Sequence, residues 1–162
     1  NRNSVAVLDG SESDAELTQL GADVFSHFGL GCRNVSKLFI PQDFDLMRLR
    51  SAWDEPYGDV MLHHKYKHNL DYQRTVYLMT QAPLTDIDFI NIVEHSGLDS
   101  PIACLYYERY TDIAAVNAKL EAEAAQIQCV TGHGHLPFGT AQEPELWDYA
   151  DGVDTIEFIV HL

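Results

Sequence analysis

The chain is short of positive charge: 10 Lys and Arg stand against 25 Asp and Glu in 162 residues, a net charge of −15. That balance opposes binding to a polyanion through general electrostatics and removes nucleic acid from the expected partners. It also requires any phosphate-bearing ligand to find a local basic site, a helix N-terminus, or a site on another part of the polypeptide. Apolar runs are short as well. None reaches the roughly 18 residues of a membrane span, and the opening Asn-Arg-Asn-Ser lacks a signal-peptide pattern, so a cytoplasmic protein with no membrane span is expected. Cysteine occurs three times, an odd number that argues against a disulfide scaffold. Neither Gly-x-Gly-x-x-Gly nor His-Glu-x-x-His is present, although the chain has eight histidines.

What is present is enough for one domain with a sizeable core, since 46% of the residues are hydrophobic. The first residue is Asn and a strand-like run begins within four residues, so the chain is expected to be part of a longer polypeptide. The three cysteines differ in setting. Cys104 in Ile-Ala-Cys-Leu-Tyr-Tyr and Cys129 in Ile-Gln-Cys-Val sit in apolar runs, where cysteine behaves as a small buried hydrophobe. Cys32 follows Gly29 and Gly31 and precedes Arg33-Asn34, a polar and flexible setting for an exposed thiol and a favoured thiolate.

Patterning predicts a strand over Ser4–Leu8, then a helix opened by a Ser13/Glu16 capping box, with Leu17, Leu20, Val24, Phe25 and Phe28 on one face and Gly29 at its end. Val35–Ile40 reads as a parallel strand stopped by Pro41, which makes a strand, helix, nucleophile loop, strand unit. Residues 42–80 read as helical with a break at Pro56-Tyr57-Gly58. Phe89–Val93 and Ile102–Tyr107 read as strands, Thr111–Gln126 as a helix capped by Thr111 or Asp112, and Ile127–Thr131 as a strand, giving a second βαβ unit over 102–131. A short helix near 145–150 and a final strand over Thr155–Val160 complete the reading. That strand, apolar on both faces, would pair either with another chain or within its own.

Histidine pairs prompt a metal reading, but His64 and His68 lack the acidic partner and are read as surface residues. His133 and His135 lie in a Gly-rich loop where a general acid or base role is the minority reading. His27 lies near the end of the helix that leads to the Cys32 loop, equally suited to a capping role and to supporting a thiolate. The Glu121-Ala-Glu123 region reads as a solvated helix face.

The run Ser4 to Gly10, the helix, and Phe25-Ser-His-Phe-Gly-Leu-Gly-Cys32 resemble the nucleophile segment of the aldehyde dehydrogenase superfamily, whose pattern is Phe-x-Asn-x-Gly-Gln-x-Cys. Phe25, Gly29 and Cys32 match, while His27 and Leu30 stand where Asn and Gln are usual. Gly31 to Leu38, Tyr72 to Met79 and Asp148 to Thr155 resemble the acyl-CoA reductase branch, the type that includes the reductase subunit of bacterial luminescence systems. The resemblance implies an α/β catalytic domain with a largely parallel sheet flanked by helices over 1–153. It implies a C-terminal oligomerisation strand over 154–162 and a nucleotide-binding domain upstream of Asn1.

By that resemblance the chain takes part in NADPH- or NADH-dependent reduction of a long-chain acyl-CoA to fatty aldehyde through a thioester on Cys32, with no metal. Glu94 is the position set against the family's nicotinamide-ribose glutamate. Gly29 and Gly31 would let substrate approach the backbone, Arg33 would favour the thiolate, Asn34 would order the turn and His27 would support it. An acyl-protein synthetase and a second copy of the chain are the implied partners. The alternatives are an NAD(P)-dependent aldehyde dehydrogenase working in the oxidising direction, and a non-catalytic oligomerising domain when the chain is isolated.

Overall fold

A computed structural model describes residues 2–149 and 154–160. In chain order the elements are β1 (Asn3–Val7), α1 (Asp14–Phe25), β2 (Val35–Pro41), α2 (Met47–Tyr57), α3 (His64–Thr80), β3 (Leu84–Asp86), β4 (Asn91–Glu94), β5 (Cys104–Tyr110), α4 (Ile113–Ala122), β6 (Ile127–Gly132) and α5 (Thr155–Val160). The strands form one sheet in the order β3-β4-β5-β2-β1-β6, parallel throughout except that β3 runs antiparallel to β4. None of the helices among the described residues is long and apolar enough to cross a membrane.

The central strands are buried on both sides, and side-chain alternation assigns each residue to one of two cores. Ala6, Leu38 and Ile40 face α1 and α2, joining Leu17, Leu20, Phe25 and Trp53. Val5, Val7 and Phe39 face the other way and pack with Val116 and Leu120 of α4. The indole of Trp53 meets Phe25 edge-on at 5.4 Å and donates to the Leu17 carbonyl at 2.7 Å, which fixes α2 against α1.

The expected unit β1-α1-β2 is present, with Val5 in register with Lys37 and Val7 with Phe39. The second expected unit has its three elements but a different neighbourhood: β6 lies beside β1, with β2 and β1 between it and β5. Gly132 makes this closure possible. Its φ is +145°, and a Cβ there would stand 2.4 Å from the Val7 carbonyl oxygen.

Local departures from the sequence reading each have a physical reason. The helix α1 has the predicted capping box at Ser13 but stops at Phe25. His27, Phe28 and Gly29 then follow in succession with positive φ, so the chain has already left the helix before the glycine. In the middle segment, Pro56 fits inside the last turn of α2 and the break comes as a 3₁₀ turn over Gly58–Leu62. The short strand β3 follows Pro83, between the predicted helical stretch and the predicted strand over Phe89–Val93. Residues 145–148 form a single turn, Asp148 N–H to the Glu145 carbonyl at 3.0 Å, where a short helix was expected.

Over 155–160 the expected strand is helix α5. Asp154 decides it: its carboxylate accepts from the N–H groups of Ile156 and Glu157, both at 3.0 Å, and its carbonyl accepts from Phe158 at 2.9 Å. A local cap outweighs the β-branched composition, and no described strand pairs with the segment. Positions 150–153, within the Asp148–Thr155 resemblance and at the expected domain boundary, lie outside the described residues.

Candidate functional site

Among the three thiols only Cys32 is exposed. Cys104 is buried, which pushes its thiol up to about 11, and burial likewise raises Cys129. The sequence distinction among them therefore survives in three dimensions.

Cys32 is positioned by Asn34. The Asn34 side chain is buried, its amide donating to the carbonyls of Ser26 at 2.7 Å, Asp23 at 3.0 Å and Val24 at 3.4 Å, while its oxygen accepts from the Gly31 N–H at 2.8 Å. One side chain thus caps the end of α1 and closes the turn that carries the thiol. Gly31 is required by this arrangement, because a Cβ there would come within 2.9 Å of the Asn34 oxygen. From the other side Ser4, fully buried on β1, donates to the Cys32 carbonyl at 2.9 Å and lies 3.0 Å from the Cys129 sulfur. The Cys32 N–H donates to no acceptor among the described residues.

The thiol opens onto a cavity of about 300 Å³ lined by Arg2, Asn3, Gly29, Leu30, Gly31, Cys32, Asn34, Ser36 and Ser100. The cavity sits before β2, at the amino ends of the parallel strands. Gly29, Gly31 and Asn34 gather there with Cys32 as expected, but the remaining candidates do not. His27 is exposed and off the cavity. The Arg33 guanidinium donates to the Ala141 carbonyl and lies 3.6 Å from the Asp148 carboxylate, so its charge is engaged with the C-terminal segment. Glu94 is in register with Tyr107, and Tyr107 with Leu38, which puts it two strands across and beyond the start of β2; Ser100 reaches the cavity in its place.

A second cluster, of which the sequence reading marked only His133 and the helix-capping Glu16, lies at the opposite ends of the strands. Asp9 and Ser11 follow β1, and His133 follows β6, the neighbouring strand. The His133 ring is held between carboxylates, Nδ1 to Asp9 at 2.8 Å and Nε2 to Glu16 at 2.9 Å. Glu16 first and Asp9 second lift the imidazole to about 9. The Ser13 N–H, with His133, holds Glu16 at about 2; the Ser11 hydroxyl, with His133, holds Asp9 at about 2. Ligand atoms of Asp9, Glu12 and His133 all lie within 4.8 Å of one another. Both His133 nitrogens are nevertheless occupied, and the buried Glu12 carboxylate accepts from the backbone N–H groups of Asp9 and Gly10. As built, the cluster is an ion-paired clasp between two turns. The signal that could have found it is the strand adjacency of β1 and β6, which no local pattern encodes.

No family model matches the chain, and no curated protein matches it. The nicotinamide cofactor implied by the resemblance can be tested against the residues. Open α/β sheets take dinucleotides at the carboxyl ends, where strand order reverses, through a Gly-rich turn after the first strand. Here that turn is Asp9-Gly10-Ser11-Glu12, with three carboxylates around His133, and Glu94 is remote from Cys32. Neither place fits a dinucleotide.

Proposed function

We propose that this chain carries the acyl group in an NADPH-dependent reduction of a long-chain acyl-CoA to fatty aldehyde, with Cys32 as the nucleophile. The observation that carries this reading is the contrast among the thiols: one exposed sulfur on a turn fastened by Asn34 at a cavity, two buried.

Cys32 as thiolate attacks the thioester carbonyl. A new Sγ–C bond forms, the carbonyl electrons move to oxygen, and the carbon–sulfur bond to coenzyme A breaks with its thiolate as leaving group. The unengaged Cys32 N–H is the donor for the developing oxyanion. No strong base is needed because a thiolate is a good leaving group. NADPH would supply the hydride that converts the enzyme-bound thioester to aldehyde. The described residues offer it no fitting site at the positions expected.

The test is trapping of the acyl-enzyme on the full chain with a labelled long-chain acyl-CoA. Labelling is expected on the wild type and lost in Cys32→Ala; undiminished labelling of that variant removes the reading.

A further inference from the structure

Beside the Cys32 cavity lies a larger one, of about 510 Å³, at the outer edge of β6, where the Leu136 backbone bonds to Val130 and Gly132. Arg2 lines both. In a protein with only 10 cationic side chains, the wall of this second cavity brings together the guanidinium groups of Arg2 and Arg33 with the aromatic rings of Trp147 and Tyr149. Trp147 is 69% exposed, although its large apolar face would normally be covered.

The guanidinium groups are held in place by the protein and still have donors left. Arg2 donates Nη2 to the carbonyls of Ala124 at 3.1 Å and Ile127 at 2.5 Å, and its other nitrogens have no partner among the described residues. Its Nε is buried without a partner, as is Oε1 of Gln128 on the same wall. Both residues line the cavity, and each keeps a polar atom without a partner among the described residues. Arg33 spends Nε on the Ala141 carbonyl and shares Nη2 with Asp148, while Nη1 has no partner among the described residues. Guanidinium forks match phosphate oxygens, and indole and phenol faces stack on purines.

We propose that this cavity binds an adenosine diphosphate moiety, with the diphosphate on Arg2 and Arg33 and the adenine against Trp147 and Tyr149. Coenzyme A and NADPH share that moiety. Asp148 is the built-in competitor: its carboxylate occupies Arg33 until the anion displaces it. Because Arg2 also borders the Cys32 cavity, a coenzyme A anchored here has its thioester arm beside the nucleophile. This last link rests on the proposed acyl transfer; the binding of adenosine diphosphate does not.

The experiment titrates the full chain with adenosine diphosphate, following heat by calorimetry and the emission of Trp147; the other tryptophan, Trp53, is fully buried in the core. Heat and quenching are expected in the wild type. Trp147→Phe should lose the quenching and keep the heat. Arg2→Gln should weaken binding at least tenfold, and Asp148→Asn should tighten it about threefold, a gain that damage to the fold would not produce. Absence of heat and quenching, or unchanged affinity in Asp148→Asn, overturns the proposal. Parallel titrations with coenzyme A and NADP⁺ identify which carrier the cavity prefers. Cys32→Ala should bind adenosine diphosphate as the wild type does. Binding without acyl labelling therefore removes the acyl-transfer reading alone, and labelling without binding removes this site alone.

Discussion

The two ends of the parallel strands are built on opposite principles. At the carboxyl ends, where open α/β sheets usually place their chemistry, Asp9 and Glu16 are both paired with His133 and Glu12 is spent on backbone amides. At the amino ends the groups that hold the nucleophile are neutral, an amide, a hydroxyl and backbone, while the guanidinium of Arg2 borders the cavity bonded to carbonyls and that of Arg33 is turned to Asp148. The difference teaches that an ionisable cluster is not by itself a reactive one. Charges that satisfy one another make a clasp, whereas a thiol held by its own backbone keeps its sulfur free.

The largest effect should come from removing that sulfur. Cys32→Ala is expected to abolish acyl labelling while changing stability by no more than about 0.5 kcal/mol, as for an ordinary exposed position; mass spectrometry and urea unfolding check the two halves. Next comes the amide that holds the turn. Asn34→Ala leaves the Gly31 N–H and the last carbonyls of α1 without their partner, so a loss of about 3 kcal/mol is expected in urea unfolding, with slower alkylation or labelling of Cys32.

A third measurement addresses the clasp. The His133 imidazole is lifted from 6.5 to about 9, so the stability it contributes is fully present below about pH 6.5 and is lost as pH rises through about 9. Asp9 and Glu16 are depressed to about 2, so their contribution is present above their ordinary values and is lost as pH falls towards about 2. Urea midpoints against pH should show both limbs, and His133→Ala should flatten the alkaline one without changing Cys32 labelling at neutral pH. A parallel loss of labelling would join the two ends that the geometry separates. The smallest effect is expected for Glu94→Gln, which should leave the labelling rate within about twofold, because its side chain lies away from the thiol cavity.

Much of the nearer end was legible in the sequence. The flanking strands and the glycines around Cys32 are short-range signals, and the setting of each cysteine predicted its burial. Asn34 could be seen as a turn residue but not as the cap of α1, because its partners lie 8 to 11 residues earlier. At the far end the Ser13/Glu16 cap was legible but the cluster was not, for a different reason: Asp9 and His133 are 124 positions apart and meet only because β6 pairs with β1. Arg33 was read from its neighbour in sequence, Cys32, whereas its side chain follows Ala141 and Asp148. Over 155–160 composition favoured a strand, yet Asp154 with Glu157 three residues on was a cap signal of the same kind as that at Ser13.

The pairing of β6 with β1 has a consequence for the order in which the molecule can be made. On the ribosome β1 acquires β2 early, but its other edge waits for residues 127–132, so a nascent chain carries an unpaired, wholly apolar Val5-Ala6-Val7 edge. A chain stopped at residue 126 would keep that edge open, and sedimentation of such truncated chains should reveal self-association that the complete strand suppresses.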